Sequence, residues 1–423
     1  RMTILVILLG FSQWSSAQTH SQNGVISVRL VSIDSNEARF DWGASSTNTT
    51  SVYRKTKSAT SWTQIASGIT IKSYVDSSIS PNTEYEYMFE ATTSSYMTDI
   101  YGYISVAYNL ELDSVVNRGD ILVVVESLLF PSLSTELSDL ENDLISDGWN
   151  PLFISHSSST GVSDLKSRID SADGVHGLDA VYLIGHLPVP YSGEIMPDGH
   201  TDHRGAWPTD LYYVTPATDW SDVHVIRTNT ARPANENIRH DGKFDQNTIS
   251  SELMCPIGRV DFYNLTKSPT SELQMVKDYL EKASDYKRGH INPMEVGIIE
   301  DNFTSISEGF ASNGFGNFSA ICDDSLVVSD VLTGLVNNGN YKWLYVCGPG
   351  TDTSMSGFAK VSQLHNADYQ GVFGMMLGSY FGDWNTQDNL MRSSVANGKL
   401  LTNVWAGRPN WFFHHMGLDN PIG

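Results

Sequence analysis

Short runs in which apolar and polar residues alternate fill the first quarter of the chain. Between residues 24 and 110, turn-forming residues such as those of the Ser-Pro-Asn triplet separate these runs. Alternation with a period of two places successive side chains on opposite faces of a strand, so that one face is buried. Several such strands at this spacing predict an all-β sandwich of about 80–100 residues.

The pattern changes to an α/β arrangement over residues 118–423. Continuous apolar runs indicate strands that are buried on both faces, and segments of helical periodicity lie between them. The six apolar runs are DILVVVE, NPLFISH, LDAVYLIGH, MEVGIIED, YKWLYVCGPG and YQGVFGMMLGSYFGDW. Helices are predicted over 134–149, around 163–171, over 268–289 and around 329–336. Strands joined mainly by helices predict a mostly parallel six-stranded sheet.

A long insertion, residues 186–257, follows the third strand of this predicted sheet. Connections in α/β domains are normally a few residues long, and much longer ones are often functional. Ligands of parallel sheets bind where the carboxyl ends of the strands meet. We therefore expect the insertion to fold over that edge of the sheet.

The first domain resembles the fibronectin type III family. The resemblance rests on Trp42 in the second strand, Tyr53 in the third, and the stretch YVDSSISPNTEYEYMFEA, which contains Tyr85. It covers residues 24–110 and implies that Trp42 and Tyr85 belong to the core. Domains of this family usually space or bind other modules.

The second domain resembles the gingipain-type cysteine peptidases, which have a caspase-like fold. The segments that support this, in family order, are AVYLIGHLPVP, PTDLYY, PIGRVDFYNLTKSPTSELQMVKDYLEKASDYKRG, YVCGPGTDTSMSG and GSYFGDW. The family's catalytic histidine lies in a Gly-His-Gly turn, where this chain has Gly348, Pro349 and Gly350. The position of the family's cysteine is Ser379. The usual His–Cys dyad is therefore absent.

Three interpretations of this degenerate dyad follow. Ser379 is a nucleophile served by His186, His200 or His203, or else it only caps a helix. Cys347 is a displaced nucleophile, or else a buried strand-end cysteine. In the third interpretation, the domain has lost peptidase chemistry and binds an extracellular protein or polysaccharide. For a divergent hydrolase, Ser379 and His186 are the candidate catalytic pair.

Further candidates lie near the predicted sheet edge. The resemblance implies that Asp210, in PTDLYY, lies beside a substrate pocket, although a carboxylate that braces a loop explains it equally well. Glu300 and Asp301 end the strand MEVGIIED, and Cys347 ends the strand YKWLYVC. All four are candidate pocket residues.

A stretch rich in histidine and aspartate suggests a divalent metal. His200, Asp202 and His203 have side chains that suit Zn²⁺, but their spacing matches no established metal motif. A carboxylate–imidazole hydrogen bond explains the same composition. Asp241 and Asp245 resemble a fragment of a Ca²⁺ loop, for which a solvated turn is the alternative.

Charge and targeting signals restrict the partners. The net charge of −22, without a cluster of Lys or Arg, argues against binding to nucleic acid or to an anionic membrane. Residues 1–17 resemble a secretory signal peptide, because the apolar run 4–11 is followed by small residues up to Ala17. That run is too short to span a membrane. We expect a secreted or cell-surface protein, with further sequence beyond residue 423.

Overall fold

A computed structural model describes residues 20–43, 47–93, 99–110, 116–303, 309–322, 327–329, 340–367, 370–407 and 412–418. The predicted secretory segment, residues 1–17, and the predicted helix residues 330–336 lie outside these ranges. In the described ranges, no helix is both long and apolar enough to cross a membrane.

The first domain consists of two antiparallel sheets that follow a short helix, α1 (His20–Asn23). Its strands are β1 (Ser27–Ile33), β2 (Ala38–Gly43), β3 (Thr47–Thr56), β4 (Thr63–Ile69), β5 (Ser73–Asp76), β6 (Thr83–Thr93) and β7 (Asp99–Tyr108). One sheet has the order β1-β2-β5 and the other β4-β3-β6-β7.

One aromatic core fills the space between these two sheets. Phe40 of β2 packs against Tyr87 of β6, with ring centroids 4.6 Å apart, and Trp42 packs against Phe89 at 5.1 Å. Trp42 and Tyr85 are both buried. The alternation seen in the sequence therefore corresponds to side chains that point into this core.

A buried carboxylate, Asp76, links the two sheets of the first domain. It accepts hydrogen bonds from the Tyr87 hydroxyl at 2.8 Å and from Arg54 Nη1 at 2.6 Å. Burial raises its pKa, but hydrogen bonds from Ser78 and Tyr87 and the charge of Arg54 outweigh burial, so the net pKa is lowered. The carboxylate is thus a charged anchor within the fold.

The Asp76→Asn variant should lose stability, by about 1–3 kcal/mol at pH 7, because it weakens two charge-assisted hydrogen bonds. Because the pKa of Asp76 is lower in the folded state, its ionisation stabilises the fold at pH values above its unfolded-state pKa of about 3.9. This stabilisation is lost as the pH falls through the folded-state pKa, so the variant should differ less from the unmodified protein in acid. Urea unfolding at pH 7 and pH 3, together with hydrogen exchange in β2 and β6, measures the loss of stability and its dependence on pH. The exposed Asp34→Asn is the matched control, and equal losses in the two variants would contradict the role of Asp76.

The second domain contains two parallel sheets. Its strands are β8 (Gly119–Glu126), β9 (Trp149–His156), β10 (Leu178–Ile184), β11 (Tyr191–Ile195), β12 (Gly205–Pro208), β13 (Ile257–Val260), β14 (Met294–Asp301), β15 (Val327–Ser329), β16 (Asn340–Cys347), β17 (Gly350–Thr351), β18 (Ser354–Met355), β19 (Ala359–Lys360), β20 (Gln370–Leu377) and β21 (Thr402–Trp405). The first sheet has the order β13-β10-β8-β9, and the second has the order β15-β14-β16-β20-β21. All neighbours within both sheets are parallel.

This arrangement contradicts the expected single six-stranded sheet. The six predicted strands all form, but three belong to each sheet, and β13, β15 and β21 add to them. Continuous apolar runs show that a strand is buried on both faces, but they do not show which strand lies beside it. Division into two sheets was therefore not visible in the pattern.

Helices cover and connect the two sheets. The longer ones are α2 (Ser134–Ser146), α3 (Val162–His176), α4 (Glu272–Lys287), α5 (Ser312–Ile321), α6 (Val361–Asn366) and α7 (Leu390–Val395). Short 3₁₀ helices lie at Phe130–Ser132, Thr201–His203, Asp210–Val214, Ala217–Asp219, Pro233–Asn235, Ala396–Gly398 and His414–Leu418. Helix α4 contacts both sheets, because Val276 shares a buried core with Val123 of β8, and the Tyr279 hydroxyl donates to the carbonyl oxygen of Leu401 beside β21.

The segment between β10 and β13 contains the hairpin of β11 and β12 and several 3₁₀ turns. Asp245 braces its outer part by accepting hydrogen bonds from the backbone N–H groups of Val223 and Val225 and from the Ser221 hydroxyl. Burial opposes ionisation, but these bonds lower the pKa of Asp245 to about 2. The carboxylate that suggested a Ca²⁺ loop thus holds a turn together.

Candidate functional site

Ser379 lies just past the carboxyl end of β20 in a tight turn. The next residue, Tyr380, has a φ of 66°, which is a left-handed conformation that non-glycine residues seldom adopt. The Tyr380 backbone N–H donates to Asp198 Oδ2 at 3.2 Å, which helps to hold this conformation. Ser379 does not cap a helix, because α7 begins at Leu390 and Asn389 caps it. The capping explanation of Ser379 is therefore wrong.

An imidazole lies within hydrogen-bond distance of the serine. His200 Nε2 is 3.1 Å from Ser379 Oγ. With Nε2 unprotonated, the serine hydroxyl donates to it, which is the arrangement that a general base requires. The His200 residue is exposed, whereas the serine is half-buried. The two side chains come from segments that are far apart in the sequence, and the fold brings them together.

Asp198 positions both sides of this pair. Its Oδ1 accepts the backbone N–H of His200 at 3.4 Å, and its Oδ2 accepts the N–H of Tyr380. The same carboxylate forms a hydrogen bond with His203 Nδ1, and both of these side chains are buried. The loop that carries His200 is thereby attached to the turn that carries Ser379.

Aromatic packing fixes the same loop against the end of the second sheet. The rings of Trp207 and Trp405 stack with centroids 5.6 Å apart and an interplanar angle of 9°. Trp405 Nε1 donates to the carbonyl oxygen of Gly378 at 2.9 Å. A Cβ atom on Gly407 would overlap the carbonyl oxygen of Pro197, so glycine is needed for this close approach. These contacts restrain the His200 loop on the side of β21.

An ion pair between the half-buried Arg232 and the buried Asp383 also supports the turn. Arg232 Nη1 is 2.8 Å from Asp383 Oδ2, and the guanidinium carbon lies 3.8 Å from the centre of the Tyr380 ring. His203 packs against this ring too, with centroids 3.4 Å apart. Tyr380 is therefore held between a cation and an imidazole, which limits movement of the neighbouring Ser379.

A cavity of about 270 Å³ opens beside Ser379 and His200. Its remaining lining residues are Asp198, Gly199, Phe303, Phe310, Pro349, Gly350, Leu377, Gly378 and Gly407. The nucleophile candidate therefore faces a concave space bounded largely by apolar side chains and glycine backbone.

The structure assigns His186 to a different cluster. His186 Nδ1 is 2.9 Å from Asp261 Oδ2, and its ring stacks on Tyr263 with centroids 4.1 Å apart. Arg392 also pairs with Asp261, at 3.3 Å. The imidazole that contacts Ser379 belongs to His200, which replaces His186 as the base candidate. The position of His186 at a strand end makes it a candidate in the sequence, but its ring is bonded to Asp261, which follows the end of β13.

The four candidate pocket residues do not line the cavity beside Ser379. Asp210 forms a two-bond ion pair with Arg259, both distances being 2.8 Å, so it braces the insertion. Glu300 is buried and accepts from Asn302, and Asp301 accepts from the Ser21 hydroxyl at 2.6 Å. Cys347 is fully buried, and its Sγ lies 3.5 Å from Asp301 Oδ1. Each of these side chains has a partner or a buried position that depends on the tertiary structure.

The geometry gives the metal hypothesis no support. Among the residues that the structure describes, no group of three or more His, Cys, Asp or Glu side chains is arranged to hold an ion. His203 bonds Asp198, and Asp202 lies 3.8 Å from His203 Nε2 with a largely exposed side chain. The carboxylate–imidazole hydrogen bond therefore explains why this stretch is rich in His and Asp.

The cysteines are poor nucleophiles in this fold. Burial, and next the charge of Asp301, raise the pKa of Cys347 far above that of an ordinary thiol. Burial also raises the pKa of Cys255 to about 11 and that of Cys322 to about 12. Because the thiolate is the reactive form, these values argue against the displaced-nucleophile interpretation of Cys347.

Iodoacetamide should therefore leave the folded protein unlabelled at pH 8, whereas in urea all three cysteines should react at the rate of ordinary thiols. Mass spectrometry of the two samples measures this difference, and the unfolded sample serves as the control. Rapid labelling of Cys347 in the folded protein, accompanied by loss of activity, would support Cys347 as the nucleophile.

Comparisons with known proteins find similar solved structures, but no family model and no curated protein that matches this chain. Among solved structures the chain is similar to the Arg specific cysteine proteinase gingipain R, with 9% identity, a TM-score of 0.42, and coverage of 70% of this chain and 64% of that one. An Fn3-like protein from Clostridium thermocellum matches with 26% identity, a TM-score of 0.17, and coverage of 20% and 91% respectively.

Proposed function

We propose that this chain is a serine hydrolase of carboxylic esters or amides, with Ser379 as the nucleophile and His200 as the general base. The observation that carries the proposal is the 3.1 Å contact between His200 Nε2 and Ser379 Oγ at the mouth of a cavity. The similarity in fold to a peptidase is compatible with it. A serine takes the position of the family's cysteine, and the histidine comes from the insertion.

The proposed reaction has two halves. Ser379 Oγ attacks the carbonyl carbon of the substrate while His200 Nε2 accepts the hydroxyl proton, and this proton then passes to the leaving amine or alcohol as its bond to the carbonyl breaks. The resulting acyl-enzyme ester is attacked by water. His200 accepts a proton from that water and returns it to Ser379 Oγ as the acid leaves.

Asp198 acts as a positioning residue in this scheme. It binds the backbone of His200 and of Tyr380, so that the imidazole and the serine hydroxyl keep their separation. Asp198 is buried, and its carboxylate is bonded to the His203 ring, not to the His200 ring. A Ser–His pair held by backbone contacts is thus the catalytic unit that we propose.

A panel of activated esters and a broad peptide library test this function. We expect turnover that a fluorophosphonate abolishes, and that neither EDTA nor iodoacetamide affects. Inhibition by EDTA would point back to a metal at His200 and His203, and inhibition by iodoacetamide would point to a cysteine. Absence of turnover together with absence of phosphonate labelling would leave binding of an extracellular protein or polysaccharide as the better explanation.

We also propose that the protein is exported and works outside the cytoplasm. Residues 4–17, which lie outside the described ranges, support this proposal by their apolar run followed by small residues. The net charge of −22 is compatible with an extracellular protein or polysaccharide as the partner. Peptide sequencing of the mature protein from the native host tests for cleavage near residue 17.

A further inference from the structure

The cavity beside Ser379 has walls that suit an apolar group. Phe303 and Phe310 face each other edge to face, with ring centroids 4.8 Å apart, and both line the cavity with Leu377. Pro349 adds an apolar ring at the position where the gingipain-type peptidases have a histidine. Such walls gain free energy when they exclude water around a hydrophobic side chain.

The polar atoms in the same lining leave little to attract a charged group. Asp198 is its single carboxylate among the described residues. One oxygen of that carboxylate accepts from His203 and Tyr380, and the other accepts from the backbone of His200. A cationic substrate group that entered the cavity would lose its hydration. It could pair only with the Asp198 carboxylate, whose oxygens already accept these hydrogen bonds.

Close packing beneath the cavity fixes its floor. A Cβ atom on either Gly350 or Gly378 would approach the Phe381 ring too closely, so backbone and a buried aromatic ring form this surface. Phe381 is fully buried and cannot move aside cheaply. The shape of the cavity is therefore built into the end of the second sheet.

Resting on the proposed function, we infer that the substrate is a peptide with a large apolar residue, such as Phe or Leu, on the acyl side of the scissile bond. The apolar side chain occupies the cavity between Phe303, Phe310 and Leu377 while its carbonyl carbon faces Ser379 Oγ. A basic side chain at the same position is rejected.

N-acetyl amino acid 4-nitrophenyl esters of Phe, Leu, Ala and Arg provide the probes. We expect kcat/KM for Phe and Leu to exceed that for Ala by at least about tenfold, because even a single methylene missing from a hydrophobic pocket costs roughly 10–200-fold. The Arg ester should be hydrolysed no faster than the Ala ester. Fluorogenic peptides with the same residues then test whether the preference extends to amide bonds.

The Phe310→Ala variant tests the wall directly, and Phe310→Leu guards against a loss of folding. We expect Phe310→Ala to lower kcat/KM for the Phe ester by about tenfold with little effect on the Ala ester. Phe310→Leu should retain most of the preference. The matched control is Phe412→Ala, since Phe412 is an exposed aromatic residue that packs on Tyr103 of the first domain.

Two failures remain distinguishable. If fluorophosphonate labels Ser379 and the esters are hydrolysed without preference, or with preference for Arg, the apolar specificity is overturned while the proposed function stands. If Ser379 is not labelled and no ester is hydrolysed, the proposed function itself fails, and the specificity fails with it.

Discussion

The Ser379→Ala variant is expected to lose hydrolysis by a factor of at least about 10³ while its thermal unfolding stays unchanged. The substitution removes the atom that forms the acyl-enzyme and leaves only the binding contributions of the cavity. Its structural cost is small, because the one side-chain contact described for Ser379 is the hydrogen bond to His200. Initial rates with the best ester, together with circular dichroism, measure the two effects.

Ser356→Ala is the matched control for this variant. Ser356 is exposed in the nearby hairpin, and its described hydrogen bond runs from its backbone N–H to Pro349, which alanine retains. We expect this control to keep its full rate. Retention of activity in Ser379→Ala would show that the nucleophile lies elsewhere, and equal losses in both variants would indicate general disturbance of the loops.

His200→Ala should lower kcat by about 10²–10⁴-fold, the usual contribution of a positioned general base. Without the imidazole, the Ser379 hydroxyl must transfer its proton to water, which is a weak base at neutral pH. The loss should be greatest near neutral pH and smaller in alkaline solution, where hydroxide replaces the missing base. Added imidazole should restore part of the rate, since the site is open to solvent.

Two further variants separate His200 from its neighbours. His224→Ala removes another exposed histidine of the insertion and should leave the rate unchanged. Asp198→Asn should produce a loss smaller than that of His200→Ala, because it loosens the loop without removing the base. Full activity in His200→Ala would contradict the dyad, even if Ser379 proved essential.

Much of the fold could be predicted from local patterns. Alternating runs gave the strands of the first domain, and Trp42 and Tyr85 proved to be buried. Continuous apolar runs gave β8 to β10, β14, β16 and β20. The helix α5 (Ser312–Ile321) was missed, because its glycines and buried polar residues obscure helical periodicity. Pairing into two sheets also lay beyond the sequence, because pairing depends on contacts between distant segments.

Only part of the site could be predicted. Ser379 follows from its position relative to the turn at Gly382 and Asp383, and His200 is one of the three histidines that the sequence offers as its base. The pairing of His186 with Asp261 could not be foreseen, because a strand-end position does not reveal such a partner. The role of Asp198 depends on a contact between residues 182 positions apart, and no local spacing could reveal it.

The most direct measurement is the site and rate of covalent labelling by a fluorophosphonate. We expect one adduct per folded chain, mapped by peptide mass spectrometry to Ser379, absent in Ser379→Ala and formed much more slowly in His200→Ala. His224→Ala should label at the rate of the unmodified protein. Labelling of another residue, or labelling of Ser379 at an unchanged rate without His200, would contradict the proposed dyad.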